Sequence, residues 1–120
     1  MNTTLSVWLQ RVALAFCFLG FGIWEFIAPR IWTAYVPQEA TMIASAQTLV
    51  FIHGVALTIA GLGILSGYAQ RFFTTLSTLI LLEICVTIGL QEGFTDIFIR
   101  DAALLLFSAA MMAQAFSRLR

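Results

Sequence analysis

The sequence predicts an all-α fold, an integral membrane antiparallel bundle of four transmembrane helices, and three observations predict it. Hydrophobic residues make up 61% of the 120-residue chain and charged residues only 10%, with a mean hydropathy of +0.97, a balance that water-soluble domains of this size do not carry. Four apolar runs each approach the roughly 20 residues needed to cross a hydrocarbon core of about 30 Å. Several charges sit inside those runs, where an ionisable group costs roughly 2.5 to 3.5 kcal/mol on insertion scales and must be paired, face a cavity or serve a function.

The runs place the helices at 5–28, 46–66, 72–90 and 97–116, within a single domain over residues 1–120. The first run ends at Ala28-Pro29-Arg30, because proline disfavours helical geometry in the residue before it. It is read as a helix rather than a secretory signal: its apolar stretch is long and carries Arg11 and Glu25, with no basic cluster before it and no small-residue cleavage site after it. Arg30 to Ser45 is the longest loop, and its mixture of aromatic and polar residues places it in the outer interface, where it can cap the bundle.

The second helix is threaded by Gly54, Ala56, Ala60, Gly61 and Gly63, with Gly67 just beyond it. Lipid offers no hydrophobic force between helices, so close approach over small residues supplies the packing energy. Gly63 and Gly67 form a Gly-x-x-x-Gly pair, read as packing inside the bundle in preference to dimerisation. Only Gly67 to Arg71 separate the second helix from the third, and Gln91 to Asp96 the third from the fourth, so both connections reverse the chain.

With four spans both termini share a side. That side holds Arg11, Arg71, Arg118 and Arg120 without an acid, whereas the other holds Arg30 and Arg100 among Glu25, Glu39, Glu92, Asp96 and Asp101. The positive-inside rule makes the termini cytoplasmic. Trp8 and Tyr68 then anchor the cytoplasmic interface, and Trp24, Trp32 and Tyr35 the outer one. Asn2-Thr3-Thr4 fits a glycosylation pattern that a cytoplasmic terminus does not use. Lysine is absent and formal net charge is zero, so no nucleic-acid footprint is expected.

Arg11, Ala15, Phe18, Gly22 and Glu25 share one face of the first helix, and that face should look inward. Arg11 is placed to snorkel toward the cytoplasm and lies about 21 Å from Glu25, too far to pair. His53 and Glu83 each lie about 10 Å below the outer boundary, and this matched depth predicts a hydrogen bond between them. Asp101 shares its face with Leu104, Ser108, Met111 and Ala115. Adjacent helical residues point about 100° apart, so Arg100 and Asp101 are expected to reach different helices, with Glu25 as the partner for Arg100.

Glu25, His53, Glu83, Arg100 and Asp101 thus converge in the outer half of the bundle, with Arg11 apart from them. They form either a set of interhelical bonds that fix helix register or a pocket for a polar head group, a proton or a quinone-like molecule. One histidine cannot supply both axial ligands of a haem, although a mixed ligand set stays open. The sequence holds no metal-ligand spacing, phosphate loop, nucleophile elbow or dithiol. Any redox cofactor is therefore expected to be diffusible or to belong to a partner, and no catalytic motif is self-contained. Cys17 and Cys85 differ in depth by about 9 Å, beyond the Cα separation of a disulfide, about 4.4 to 6.8 Å, and are read as apolar packing residues.

Three stretches resemble the DoxX family of small four-helix membrane proteins. The first is Arg11 followed by Phe-Leu-Gly-Phe-Gly-Ile-Trp-Glu-Phe at 18–26, then Pro29, Trp32 and Tyr35-Val36-Pro37. The second is His-Gly-Val-Ala-Leu-Thr-Ile-Ala-Gly at 53–61 running to Gly67, and the third is Ile-Arg-Asp-Ala-Ala-Leu-Leu at 99–105. The resemblance implies that Arg11, Gly22, Glu25 and the Arg100-Asp101 pair occupy the family's recurrent polar positions. It also implies a bacterial inner membrane location and an association with redox membrane complexes, including thiosulfate and quinone oxidation and oxidative-stress enzymes. Many relatives carry an acid three residues after the second-helix glycine, where this chain has Leu57, with His53 placed to supply polarity instead.

The leading expectation is therefore a membrane subunit or accessory of a quinone-linked redox system, with a quinone as its only expected cofactor and an oxidoreductase as partner. The alternatives are a small proton-coupled transporter, in which buried acids carry protons, and a non-catalytic scaffold or assembly factor that uses small-residue faces to bind other membrane proteins or a second copy of itself.

Overall fold

A computed structural model describes residues 3–117. Arg118 and Arg120, assigned above to the cytoplasmic side, and Asn2 of the Asn-Thr-Thr triplet lie outside the described residues. The described chain is all-α, without a strand. Its α-helices are α1 (Thr3–Ile27), α2 (Pro29–Trp32), α3 (Ala46–Ser66), α4 (Gln70–Glu92) and α5 (Asp96–Ser117), with short 3-10 turns at Thr33–Tyr35 and Gln38–Met42. The four long helices depart from the expected bounds by two residues at most. The fifth, α2, lies in what the sequence reads as loop, since Pro29 stands at its first position, where the missing N–H costs nothing.

Among the described residues, three helices are long and apolar enough to cross a membrane: α1, α3 and α4, with mean hydropathies of 1.6, 2.1 and 1.9 over their most apolar stretches. The sequence led us to expect four. The remaining long helix, α5, has 22 residues but carries Asp96, Arg100 and Asp101 at its N-terminal end, which makes that end its most polar part.

Local chemistry sets the helix ends. Pro29 forces Ala28 out of helical geometry, to φ −134° and ψ 64°, and α1 stops there. Ser45 caps α3 by accepting a hydrogen bond from the Thr48 N–H at 3.2 Å, and Thr95 does the same for the Phe98 N–H at the start of α5. Gly67 closes α3 at φ 77°, a left-handed conformation that only glycine adopts freely.

Close contacts give the direction of packing. Glu25 meets Gly54, Gly22 meets Thr58, and Leu19 meets Gly61, so α1 and α3 run antiparallel. Gly89 meets Phe98 and Thr78 Oγ1 lies 2.9 Å from Ser108 Oγ, so α4 and α5 do as well. A Cβ on Gly63 would collide with the Phe73 ring on α4, so this glycine of the Gly-x-x-x-Gly pair packs inside the bundle. The molecule measures 46 × 28 × 22 Å, long enough for a bilayer of about 40 to 45 Å including its headgroups.

The core fills the half of the bundle away from Glu25. Leu14, Ala15, Phe18, Leu57, Ala60, Ile64, Ile80, Leu81 and Met111 form one buried cluster. Thr74, Ser77 and Ser108 are buried too. The Thr74 and Ser77 hydroxyls donate to carbonyls one turn back, at 2.6 and 2.8 Å, so no hydroxyl there needs water. Helices α1 and α3 pack extensively on each other, as do α4 and α5, whereas α1 and α5 barely touch. The space this leaves is at the end that carries Glu25 and His53.

Candidate functional site

Side chains on antiparallel neighbours lean toward each other, because each Cα–Cβ bond tilts toward its own helix N-terminus. Glu25, near the end of α1, therefore points back into the bundle, and His53, at the eighth position of α3, points toward the N-terminal end of that helix. Gly54 lets the backbones meet: a Cβ there would stand 3.1 Å from both Glu25 Cβ and the Gly22 carbonyl oxygen.

His53 Nδ1 consequently lies 3.2 and 3.3 Å from the two Glu25 carboxylate oxygens. The other ring nitrogen, Nε2, lies 3.2 Å from Glu83 Oε2 on α4. Matched depth thus brings His53 to Glu83, and Glu25 joins them from the third side. Glu25 is 7% exposed, while the Glu83 side chain is 57% exposed. The three residues form a bonded chain from a buried carboxylate to an accessible one.

Two expectations need correcting here. Glu25 pairs with His53 and not with Arg100, since the backbone approach at Gly54 delivers the carboxylate to α3. Arg100 and Asp101 do bond to each other: Arg100 Nε donates to Asp101 Oδ1 at 3.3 Å. Their Cβ atoms diverge, but the arginine stem is long enough to fold back along the helix surface. Its guanidinium carbon also stands 5.5 Å from the centre of the Phe21 ring, within cation–π range, so Arg100 spans the gap between α5 and α1.

These groups line one cavity of about 640 Å³, bounded by α1, α3, α4, α5 and the loop between α1 and α3. Glu25, His53, Glu83, Arg100 and Asp101 all contribute to its wall, and most of the remainder is apolar. Phe18, Leu57 and Leu81 belong both to the core and to the cavity wall, forming the floor. Trp32, Tyr35, Val36, Pro37 and Ala40 of the loop close the other end, the capping role expected of that segment. The size lies within the range of about 300 to 1,000 Å³ typical of small-molecule sites, and the composition, apolar walls with a few convergent polar groups, is theirs too.

The loop is held by aromatic contacts. Trp32 meets Trp24 edge to face at 5.1 Å between ring centres, Phe21 at 5.6 Å and Tyr35 at 5.9 Å. Trp32 Nε1 is buried with no hydrogen-bond partner among the described residues. Cys17 is half-buried in the cavity wall, while Cys85 is buried and outside it; both are free thiols.

Arg11 lies away from this cavity. Its guanidinium packs against Gly67 at the end of α3, where a Cβ would strike Nη1, and its Nε is buried without a partner. It therefore sits at the C-terminal end of α3, the negative end of that helix's dipole.

No protein-family model matches the chain, and neither a curated protein nor a solved structure does. The chemistry of the cavity carries the functional reading.

Sequence reasoning missed the roles of Cys17, Phe21 and Trp24 as cavity wall and of Trp32 as an unpartnered donor. Their signal was present in the spacing: positions 17, 21 and 24 form a stripe beside the Glu25 face of α1.

Proposed function

We propose that this chain is a four-helix transmembrane bundle of a bacterial inner membrane, with cytoplasmic termini and its cavity in the outer half. In this reading it binds a quinone-like lipophilic molecule there, as a subunit or accessory of a quinone-linked redox system. The observation that carries the reading is a cavity of about 640 Å³ whose wall, largely apolar with an aromatic roof, includes all five ionisable groups. A quinone has an apolar ring and tail with carbonyl oxygens at the ring. The cavity offers apolar contact to the first, and the Arg100 guanidinium as a donor to the second. The resemblance to the DoxX family supports the redox association.

The test is purification in mild detergent from the native membrane, with mass spectrometry of co-purifying chains and lipophilic molecules, followed by quinone titration of the pure protein. A bound quinone or a stoichiometric oxidoreductase is expected. A protein that carries neither, and whose tryptophan fluorescence is not quenched by added quinone, refutes the reading. One observation favours the proton-coupled transporter as a second reading: the bonded chain of Glu25, His53 and Glu83, which links a buried acid to an accessible one. Proton flux in liposomes that depends on Glu25 or Glu83 would favour it.

A further inference from the structure

The geometry around His53 has a proton count built into it. Both ring nitrogens face carboxylate oxygens, Nδ1 toward Glu25 at 3.2 Å and Nε2 toward Glu83 at 3.2 Å. An ionised carboxylate only accepts hydrogen bonds, and a neutral imidazole has a single N–H to donate. Two bonds therefore require two protons between three groups, one more than a neutral imidazole and two carboxylates hold. The extra proton resides on the ring or on one carboxyl, and moving it along the chain breaks no contact between helices.

The surroundings give that proton a direction. Its inner end, Glu25, is buried against α3, and its outer end, Glu83, is more than half exposed and lines the cavity. The other charged groups facing the cavity are Arg100 and Asp101 on α5, which neutralise each other through their own bond at 3.3 Å. Neither lies within hydrogen-bond reach of His53 among the described residues. The cavity thus holds one proton-bearing chain and, apart from it, a closed ion pair.

We propose that Glu25, His53 and Glu83 form a proton relay serving the ligand in the cavity, with Glu83 as the residue that exchanges a proton with the ligand's polar end. The proposal rests on the reading that the cavity binds a lipophilic molecule. In the delivering direction, the His53 Nε2 proton moves to Glu83 Oε2 and from the Glu83 carboxyl to a ligand oxygen. The imidazole is left neutral, with its Nδ1–H still donated to Glu25. The ligand gains one proton, the relay loses one, no electron moves, and the relay is reprotonated by a hydronium ion of the solvent at the accessible Glu83 carboxylate, which leaves water. Glu25 is a positioning residue: it touches no ligand but fixes which nitrogen keeps its proton.

The experiment uses two probes on the full-length protein in detergent, in a Trp8→Phe background that leaves Trp24 and Trp32 in the cavity wall as fluorophores. One is an alkylated 2-hydroxy-1,4-naphthoquinone, studied at a pH where it is a coloured enolate in water. The other is decylubiquinone, which has no ionisable hydroxyl. Both should quench tryptophan fluorescence. With the hydroxynaphthoquinone the enolate band should fall as quenching rises, one enolate lost per ligand bound. Glu83→Gln, a change at an exposed side chain, should keep the quenching and retain the band. Quenching with the enolate band intact in the unmodified relay overturns the relay while leaving the binding reading standing. Absence of quenching by either probe overturns both.

A second measurement needs no ligand. The chain has a single histidine, so a 15N-histidine-labelled sample reports His53 alone. Two proton-bearing or proton-sharing ring nitrogens are expected, and a signature of one N–H beside a bare nitrogen with no bonded proton overturns the relay.

Discussion

His53 and Glu25 meet across a close approach of α1 and α3, with Nδ1 3.2 Å from Oε1 beside a glycine that has no side chain to separate the helices. The contact is buried on the Glu25 side, whereas the Glu83 contact on the opposite nitrogen is not. The two carboxylates should therefore contribute unequally to stability. In a double-mutant cycle, His53→Ala with Glu25→Gln should show a coupling of about 1 to 2 kcal/mol, near the upper end for interhelical hydrogen bonds in membranes. The cycle with Glu83→Gln should give less than about 1 kcal/mol, as exposed pairs do. Denaturation in mixed micelles measures both, and equal couplings would contradict the difference in burial.

Arg100 and Asp101 should show a different asymmetry. Asp101 is 5% exposed, and Arg100 Nε is its hydrogen-bond partner. Arg100→Ala leaves a buried carboxylate without that donor and should cost about 1 to 3 kcal/mol. Adding Asp101→Ala should recover part of the loss, since removing both members of a pair costs less than removing one. A double variant less stable than Arg100→Ala would count against the pairing.

Glycine substitutions separate packing from propensity. A Cβ on Gly22 would lie 2.6 Å from Thr58 Oγ1 and 3.0 Å from the Gly54 carbonyl, whereas nothing lies within 4 Å of one on Gly20. Gly22→Ala should destabilise by about 1 to 3 kcal/mol through overpacking, and Gly20→Ala should be neutral or stabilising, because alanine is the better helix former. Thermal unfolding of the two variants, two residues apart on one helix, is the comparison.

The two thiols report on the cavity. Cys17 lines it and is half-buried, while Cys85 is buried away from it. A small apolar thiol reagent should modify Cys17 several-fold faster than Cys85, and decylubiquinone should slow the reaction at Cys17 alone. Mass spectrometry of Cys17→Ser and Cys85→Ser variants assigns the sites. Equal rates at the two thiols would mean that the cavity does not admit solutes to the depth of Cys17.

Much of this protein was legible in its sequence because apolar length and depth are one-dimensional quantities. The end of the first helix follows from Pro29, and the other helix bounds from the extent of each apolar run. Counting 1.5 Å per residue put His53 level with Glu83, and that contact is present at 3.2 Å. The convergence of five ionisable groups in one half of the bundle was likewise a matter of depth.

Azimuth and reach were settled only by the tertiary structure. Whether Glu25 turns to Arg100 or to His53 depends on how closely α1 approaches α3, which Gly22 and Gly54 decide together across 32 positions of sequence. Arg100 finds Asp101 because a flexible stem can undo a 100° divergence between neighbouring Cβ atoms, a freedom that a helical wheel omits. The cavity belongs to no segment at all. It is the volume left where two tightly packed helix pairs part at the end that carries Glu25 and His53 and a loop of aromatic residues covers the gap. Periodicity records which face of a helix is apolar, and only packing determines how much of that face is left uncovered.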